Sequence, residues 1–549
     1  MSKHHSPQED NIYSSACIQA LEQEYCSSCS AAVVSSCLVS SQGYGARVVS
    51  RIYHGGRRAV YTATVAAMLA NNMALPAYGA TTYVSAGETV SGVTITSGNS
   101  QIIYSAGVTS DTTISSGGTQ YVSSGGVASN TTISSGGVQE VSSGGVANAT
   151  TATGTYYVVG ALGSQLIFSG GVASDTTISN GGCQYVENDG VASNTTVNSG
   201  GVMTVSSGGK AYNTVQHSGG NVKVTVQGGD TETHVNGTNE KGTFTLQNGV
   251  ASNFILYVNG RQTVSSGGVA INTTLNNNAA WQWVASGGVA SNTTISSGGW
   301  QVVSSGGKAY NVEQHSDGNI NADVYGGDTE TYVSGTNEKG TFTLQNGVAS
   351  NFILYYGGSQ RVASGGVAND TTISWGGSQY VSGVASNTII SLYGSQIVFS
   401  GGVASNTTID TNARQDILSG GVANDTTINV SGGQYVYGVA SNTTIEFQAR
   451  QNIFSGGVAN ATTISRGGAQ NVYSGGVASD TTISSSGCQY VENDGVASNT
   501  IIEQRGSQIV SSGGVANDTT INSGSVQNVF SSGVASNTTV NEYSSQYVS

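Results

Sequence analysis

The chain has 549 residues, of which 79 are glycine and only 2 are proline, and 8% of its residues are charged. Lys and Arg together number 16 and the formal net charge is −14, which excludes a nucleic-acid-binding protein because such a protein would carry a basic face. Abundant glycine with almost no proline is typical of strands joined by tight turns that need positive φ.

Residues 1–50 form an N-terminal leader extension to which the sequence assigns no role. Four cysteines lie in this segment, at Cys17, Cys26, Cys29 and Cys37. The spacing of Cys26 and Cys29 is one that zinc and redox sites use. No redox-fold pattern follows it, however, and His4 and His5 are poorly spaced as further ligands. We therefore expect no metal and no cofactor here.

Residues 51–80 have the pattern of a signal peptide. Basic residues at Arg51, Arg57 and Arg58 precede an apolar run over 59–70, and small residues follow at Ala77 and Gly79. This order predicts export, with cleavage in the region of Ala77 and Gly79. The alternative is a short amphipathic helix that caps the first turn of the following domain. No other apolar run is long enough to span a membrane.

Residues 81–549 repeat one phrase with small variations. It reads Gly-Gly-Val-Ala-Ser-Asn-Thr-Thr-Ile, then Ser-Ser-Gly-Gly, then x-Gln-x-Val, and most copies are 19 residues apart. A fixed period of about 20 residues indicates one structural unit stacked many times rather than a globular enzyme domain. We expect roughly 23 turns, each pairing with the next at the strand spacing of about 4.8 Å.

The variation within the repeat separates inward from outward positions. In x-Gln-x-Val the residue between Gln and Val is Tyr121 in one copy, Glu140 in the next and Asp416 in another. Because adjacent side chains of a strand point to opposite faces, this tolerant position faces solvent, and Gln and Val face inward. Inward glutamines must be hydrogen-bonded, which predicts a ladder of amides along the stack. The outward tyrosines predict a discontinuous aromatic stripe: Tyr121, Tyr185, Tyr380, Tyr435, Tyr490 and Tyr547.

These patterns predict an all-β fold, a right-handed parallel β-helix (solenoid) of about 19-residue turns. A calcium-binding β-roll is the alternative, but it needs Gly-Gly-x-Gly-x-Asp runs, and the nearest segment, at 228–230, lacks the continuation. Two variant blocks, 210–257 and 308–355, are copies of one another. Each retains Gly-Val-Ala-Ser-Asn, so we expect the stack to continue through them with altered turns.

The best candidate for catalysis is a group of three residues, Asp230, Glu232 and His234, which alternation would place on one face of a strand. Its copy replaces the histidine with Tyr332, and we prefer to interpret the carboxylates as part of a solvated turn. Since carbohydrate-cleaving β-helices need clustered carboxylates in a cleft, we predict no enzymatic activity, no cofactor and no metal site. Cys183 and Cys488 lie in near-identical segments and are expected to be duplicates rather than a disulfide pair.

The repeat over 81–549 resembles the passenger repeats of self-associating autotransporter adhesins, the family of the diffuse-adherence adhesin and antigen 43. The resemblance implies a β-helical passenger at the bacterial cell surface or outer membrane, or secreted. It also implies cell aggregation, biofilm formation and adherence to host cells. The partners it implies are a second copy of the chain, a host-cell receptor and a glycosyltransferase that adds heptose to serine.

The heptose acceptors of this family lie in a strand, short loop, strand motif, which Thr-Thr-Ile, Ser-Ser-Gly-Gly and x-Gln-x-Val match here. The alternative is that these serines are ordinary turn formers. The acceptors that the resemblance implies are Ser115, Ser116, Ser134, Ser135, Ser296 and Ser297.

The sequence departs from the family at its end, since Ser549 still lies inside a repeat and the membrane translocator of the family does not follow. We expect either a fragment of a longer adhesin or a truncated passenger that would remain in the periplasm. A passive stalk and, less favoured by the residues, a polysaccharide-degrading enzyme are the other functional alternatives.

Overall fold

The computed structural model describes residues 79–96, 98–155, 162–276 and 279–549, and every regular element in these ranges is a β-strand. The predictions for residues 1–50 and for most of the signal peptide, including Ala77, lie outside the described residues. Each turn of the described stack has three short strands, which we call the Gln strand, the Val-Ala strand and the Thr-Ile strand after their commonest residues.

The Gln strands form one 12-stranded and one 11-stranded sheet, with one strand per turn, which agrees with the number of turns expected from the repeat. Their bounds are Thr81–Val84, Ser100–Ile103, Thr119–Val122, Val138–Val141, Ser164–Ile167, Cys183–Val186, Val202–Val205, Asn221–Val226, Arg261–Val264, Trp281–Val284, Trp300–Val303, Asn319–Ala322, Ser359–Val362, Ser378–Val381, Ser395–Val398, Arg414–Ile417, Gly433–Val436, Arg450–Ile453, Ala469–Val472, Cys488–Val491, Ser507–Val510, Val526–Val529 and Ser545–Val548.

The Val-Ala and Thr-Ile strands belong to a third, 41-stranded sheet. The Val-Ala strands are Thr89–Ser91, Val108–Ser110, Val127–Ser129, Val146–Asn148, Val172–Ser174, Val191–Ser193, Val250–Ser252, Val269–Ile271, Val289–Ser291, Val348–Ser350, Val367–Asn369, Val384–Ser386, Val458–Asn460, Val477–Ser479 and Val534–Ser536. The Thr-Ile strands are Thr94–Ile95, Thr113–Ile114, Thr132–Ile133, Thr151–Ala152, Thr177–Ile178, Thr196–Val197, Ile255–Leu256, Thr274–Leu275, Thr294–Ile295, Ile353–Leu354, Thr372–Ile373, Ile389–Ile390, Thr463–Ile464, Thr482–Ile483 and Thr539–Val540.

Some strands of that sheet do not fit these two classes. Seven run through both positions without a break: Lys210–Gln216, Lys308–Gln314, Val403–Ile409, Val422–Ile428, Val439–Ile445, Val496–Ile502 and Val515–Ile521. Four more belong to inserted hairpins: His234–Asn239, Gly242–Gln247, Tyr332–Asn337 and Gly340–Gln345.

Successive turns pair in parallel and in register, so that equivalent residues lie one above another. Thr119–Val122 pairs with Val138–Val141, and this places Gln120 beside Gln139. The strand burial alternates, with Gln120 and Val122 fully buried and Tyr121 exposed. The prediction of a parallel β-helix with inward Gln and Val is therefore confirmed.

The core consists of columns of apolar side chains that run along the stack, because a single turn is too short to enclose one. Each regular turn contributes a valine or isoleucine from the Gln strand, an alanine from the Val-Ala strand and an isoleucine from the Thr-Ile strand. Val122, Ala128 and Ile133 fill these positions in consecutive strands and are 0% exposed. Burial of such a valine or isoleucine contributes about 1.5–3 kcal/mol relative to exposure.

The buried glutamines form the predicted amide ladder, and the ladder has a direction. The Nε2 of Gln120 donates to Oε1 of Gln101 at 2.8 Å, and Nε2 of Gln139 donates to Oε1 of Gln120 at 2.8 Å. The threonine that follows the corner adds a second donor, since Oγ1 of Thr150 donates to Oε1 of Gln139 at 3.1 Å. Each amide thus donates towards the N-terminal turn and accepts from the C-terminal one.

The glycine pairs of the repeat have two different structural reasons. Gly125 has a φ of +83°, which the tight turn after the Gln strand requires. Gly126 is needed for space, because a Cβ there would lie 2.5 Å from the carbonyl oxygen of Ile103 in the preceding turn. The second glycine therefore lets each corner lie directly on the backbone below it.

The stack continues through the two variant blocks, as expected, but each block contains an antiparallel hairpin that the sequence analysis did not predict. His234–Asn239 pairs with Gly242–Gln247, which pairs in turn with Val250–Ser252. On the Gln side, Asn221–Val226 pairs directly with Arg261–Val264. One side of the solenoid therefore gains two strands at this point.

Large aromatic side chains fill the core at the hairpins. Phe244 and Phe254 are 0% exposed, and their ring centroids lie 5.0 Å apart. In the second block Phe342 and Phe352 repeat this contact at 5.2 Å. The added strands thus contribute their own buried aromatic side chains, which explains how the stack accommodates them.

Candidate functional surfaces

The six predicted acceptor serines all lie in turns between a Thr-Ile strand and the next Gln strand. Ser116 and Ser297 are exposed, and no described residue makes a hydrogen bond to either hydroxyl. Ser134 and Ser135 are partly buried, and the Ser135 hydroxyl lies 3.0 Å from that of Thr155 in the next turn. Ser115 and Ser296, the first serines of their turns, are also partly buried.

Gly79, the only one of the two predicted cleavage-region residues that is described, precedes the first strand. A Cβ at this position would lie 1.9 Å from the carbonyl oxygen of Gly98. Gly79 thus packs against the second turn in the same way that Gly126 packs against its predecessor. Signal cleavage in this region stays a prediction.

The expected arrangement of Asp230, Glu232 and His234 on one strand face is wrong. The strand begins only at His234, and the two carboxylates lie in the turn before it. Asp230 accepts hydrogen bonds from the backbone N–H groups of Glu232 and Thr233 and from the hydroxyls of Thr233 and Ser207. Burial raises the pKa of Asp230, but these bonds outweigh it and lower the pKa below the ordinary value. The carboxylate therefore holds the turn together.

Two cysteines lie in the described part of the chain, Cys183 and Cys488, and both are free thiols. Each occupies the first position of a Gln strand, and burial raises the pKa of both thiols. Within the described ranges no group of three or more His, Cys, Asp or Glu residues is close enough to hold a metal ion.

One corner of most turns carries an asparagine or aspartate in the left-handed region, as at Asp111, with φ +55°, and Asn130, with φ +51°, whereas Ala149 and Ala461 stand there in two turns. The Nδ2 of Asn130 donates to Oδ1 of Asp111 at 3.3 Å, and such bonds recur along the corner. Every aspartate of this column is followed one turn later by an asparagine that donates to it: Asp111, Asp175, Asp370, Asp425, Asp480 and Asp518. We call this column the Asn/Asp corner.

The Asn/Asp corner avoids repulsion between like charges. Two aspartates one turn apart would place two carboxylates at about the strand spacing of 4.8 Å. Hydrogen bonds to Ser110, Ser91 and Asn130 instead lower the pKa of Asp111. The corner therefore presents amide and carboxylate groups to solvent at a regular interval.

The six outward tyrosines lie on the outer side of the Gln strands, as predicted, and Tyr121, Tyr380 and Tyr547 are 37%, 37% and 63% exposed. A second aromatic position, which we did not predict from the sequence, lies directly after the inward Val. There, Tyr437, Phe454 and Tyr473 stack with centroid distances of 4.7 and 5.1 Å. The period of the repeat would have revealed it, because such rings recur on successive turns.

The outer surface therefore offers regular columns of hydrogen-bonding and aromatic groups along the stack, in contrast to the single cleft of a β-helix enzyme. No helix in the described residues is long and apolar enough to cross a membrane.

One known protein with a similar sequence is a bacterial autotransporter. An autotransporter of Citrobacter rodentium (strain ICC168), Autotransporter CRAC, is 39% identical over 187 residues, a match that covers 28% of this chain and 12% of that protein. The chain thus corresponds to a small part of this relative's length.

Two solved structures are also similar to the chain. The first is the crystal structure of the TibC-catalyzed hyper-glycosylated TibA55-350 fragment, 27% identical, which matches 82% of this chain and 99% of its own with a TM-score of 0.19. The second is the Dettilon tailspike protein (gp208), 11% identical, which matches 62% of each chain with a TM-score of 0.14. Neither superposition is close enough to support an argument about function.

The family described as adhesin of bacterial autotransporter system, probable stalk, matches residues 156–235, 236–282, 334–391, 451–500 and 485–543. These segments fall on the stacked turns and together cover about half of the chain. The chain therefore belongs to this family of bacterial autotransporter adhesins.

Proposed function

We propose that the chain is the passenger of a surface-displayed autotransporter adhesin whose sides bind a second copy on a neighbouring cell. This association would aggregate cells and promote biofilm growth and attachment to host cells. The observation that carries the proposal is the family match along the stacked turns. We infer no enzymatic activity, because the best carboxylate of the sequence analysis, Asp230, is fully engaged in its own turn.

The regular repeat of polar groups along the stack supports binding of two copies side to side. The Asn/Asp corner and the exposed hydroxyls repeat at the same height on most turns, so two stacks that match over one turn match over many. A single such hydrogen bond contributes only about 1 kcal/mol net. Many of them acting together give a large total through avidity.

The test is the settling of bacterial cells that display the chain, compared with cells that lack it. Three variant sets place lysines on alternate turns of one outer face each, which adds like charges without disturbing the inward columns. The sets are Thr113→Lys, Thr151→Lys and Thr196→Lys on the Thr-Ile strands; Val108→Lys, Val146→Lys and Val191→Lys on the Val-Ala strands; and Tyr121→Lys, Leu166→Lys and Thr204→Lys on the Gln strands.

We expect the displayed chain to cause settling and one variant set to abolish it, since repulsion along one face prevents two stacks from meeting. Serine substitutions at the same positions are the matched control and should leave settling unchanged. Equal settling with all three lysine sets, or none with the native chain, would contradict self-association. It would favour a passive stalk, which the family description also names.

We also propose that the turn serines accept heptose from a glycosyltransferase, as the family resemblance implies. The support is that the hydroxyls of Ser116 and Ser297 are exposed and free of hydrogen bonds within the described residues. Mass spectrometry of chain produced with and without a heptosyltransferase tests this. Modification should fall at Ser116 and Ser297 in preference to the partly buried Ser134, and an unmodified chain would contradict the proposal.

A further inference from the structure

A notch on the outer side of the Gln strands has the composition of a binding site. Its volume is about 410 Å³, and it is lined by residues of three successive turns. Two of the lining residues are arginines, Arg414 and Arg450, three are the polar residues Asn412, Ser431 and Gln448, and none is acidic. In a chain with a net charge of −14, such a wall attracts anions.

Gly433, which has no side chain, lies between the two arginines in the lining of the notch. Arg414, Gly433 and Arg450 are equivalent residues of three neighbouring Gln strands. The backbone of each arginine is therefore one strand spacing from the glycine, and the two arginines are about two strand spacings apart. Gly433 is the only glycine that begins a described Gln strand.

The backbone does not demand a glycine at this position. The φ of Gly433 is not in the left-handed region, and the atoms nearest to an added Cβ would be those of the Tyr435 side chain, at 3.1 Å, rather than backbone. The corner glycine Gly126, in contrast, would collide with backbone. The absence of a side chain at Gly433 is thus a property of the surface rather than of the fold.

The two arginines differ in their freedom to bind a ligand. Arg414 is held in place, because its Nε donates to Asp416 at 2.7 Å and its guanidinium lies 4.1 Å from the centre of the Tyr435 ring. Arg450 is exposed and forms no ion pair with a described carboxylate. It therefore supplies an uncompensated charge, with donors that suit a carboxylate or sulfate.

The volume of the notch and the polarity of its lining restrict the class of ligand further. The volume falls within the range of about 300–1,000 Å³ that is usual for small-molecule sites, and a lone inorganic anion would leave most of it to water. The hydroxyl and amide groups of Asn412, Ser431 and Gln448 can bond to the hydroxyls of a sugar. A polar, anionic ligand of the size of a sugar ring can bond to both the charged and the uncharged polar groups that line the notch.

We propose that this notch binds an acidic sugar unit of a polysaccharide, with the anionic group on Arg450 and the sugar hydroxyls on Asn412, Ser431 and Gln448. The site does not depend on self-association, because it is complete within one copy of the chain. It would give the adhesin a glycan ligand in addition to its own copies.

The test is calorimetric titration of the full chain with three probes: a galacturonic acid oligosaccharide, its neutral galactose counterpart and a sulfated oligosaccharide of similar length. We expect one or both anionic probes to bind and the neutral probe not to bind, and the comparison of the two separates carboxylate from sulfate recognition. Inorganic sulfate at the same concentration should bind at least tenfold more weakly.

Two variants test whether the anionic probes bind in the notch. Arg450→Gln removes the free charge, and Gly433→Val fills the notch with a residue that begins other Gln strands, at Val138 and Val526. Each should weaken binding at least tenfold, whereas Arg361→Gln, on the same face but outside the notch, should change it less than twofold. Circular dichroism establishes that each variant is folded, and the conservative Arg450→Gln decides the question if Gly433→Val does not fold.

Lack of binding by both anionic probes, or unchanged binding in Arg450→Gln, would overturn the proposal. Equal binding of inorganic sulfate would reduce the site to a general anion site and would overturn the sugar assignment. The settling of cells that display Arg450→Gln should equal that of native cells, so failure here is distinct from failure of self-association.

Discussion

At the scale of single residues, the stack magnifies the effect of each side chain, because each one meets its equivalent on the next turn. A favourable pair recurs as a ladder, as with the buried glutamines, whose Nε2 and Oε1 atoms lie 2.6–2.8 Å apart. An unfavourable pair would recur in the same way. The choice between Asn and Asp at the corner is therefore constrained by the neighbouring turn as much as by the turn itself.

The Asn/Asp corner gives a prediction about charge. Asn130→Asp removes the donor to Asp111 and places a second carboxylate one turn away, so the introduced carboxyl should titrate above its ordinary value. A carboxyl whose pKa is raised in the folded state destabilises the fold at neutral pH, and this loss disappears as the pH falls through the folded pKa. We expect a decrease in Tm on the order of 1 °C at pH 7 that vanishes near pH 3.

Asn272→Asp is the matched control for this effect. Its neighbours are Asn253 and Asn292, and Asn292 donates to its Oδ1. This variant loses one donor but gains no like-charged neighbour, so its Tm should change less between pH 7 and pH 3. Identical pH dependence in the two variants would show that repulsion across the corner is negligible.

The glutamine ladder gives a second prediction at this scale. In Gln434→Met, Gln451 loses the acceptor of its Nε2 and Gln415 loses the donor to its Oε1. In Gln184→Met, at the end of a ladder, no glutamine Nε2 is orphaned, since the next turn carries Met203. Because an unsatisfied buried donor costs about 1–3 kcal/mol, Gln434→Met should be the more destabilising by about that amount in urea unfolding.

At the scale of elements, the inserted hairpins are the parts that the repeat does not dictate. Phe244 packs against Phe254, and it also requires Gly237, where a Cβ would lie 2.6 Å from the Phe244 ring. The two strands of the hairpin are therefore matched to one another, since Gly237 and Phe244 are paired across them.

Phe244→Ala should lower the free energy of unfolding by about 3–5 kcal/mol, the usual cost of deleting a buried phenylalanine. Thermal or urea unfolding of the full chain measures this. Phe342→Ala in the second block should have a similar effect, and Phe447→Ala, whose side chain is 46% exposed, should have little. A negligible loss in both blocks would mean that the hairpins are not part of the core.

Alternation around Gln120 and Val122 was enough to predict the inward columns, since a slip of one residue would expose them all. The hairpins were missed because the block around Val250 keeps the repeat phrase and hides the change in strand direction. The segment Asn239–Gly242, a short loop with glycine between threonine-rich runs, is a hairpin signal that could have been used.

The candidate surfaces were harder to predict than the fold. The notch depends on a missing side chain at Gly433 and on which arginine is already paired, as Arg414 is with Asp416. Neither the glycine at this position nor the pairing of Arg414 can be predicted from the period of the repeat. The order of aspartates and asparagines along the corner is visible in the sequence, but its reason appears only once the register places them one above another.

At the scale of the whole molecule, the turn is the unit that can be added or removed. Deletion of residues 458–476 would join Gly457 to Val477, which is the equivalent of Val458 in the next turn. Gln489 would then meet Gln451 in place of Gln470, and every column would close again. We expect a folded protein by circular dichroism with a Tm within a few degrees of the native value.

Deletion of residues 458–467, about half a turn, is the control. It shifts the Thr-Ile and Gln strands against their neighbours and should abolish cooperative unfolding of the turns that follow residue 467. If both deletions behave alike, in-register stacking is not what holds the turns together.

The amide ladder also bears on how the solenoid carries tension. It is interrupted twice, after Gln184, where Met203 and Val222 follow, and after Gln301, where Ile320 follows. A force along the axis acts on every contact between successive turns in series. The force at which the solenoid gives way is therefore set by its weakest contact between two turns and not by the sum of all its hydrogen bonds. An adhesin stretched between two cells would extend first at these two joints and would keep its three ladder segments intact.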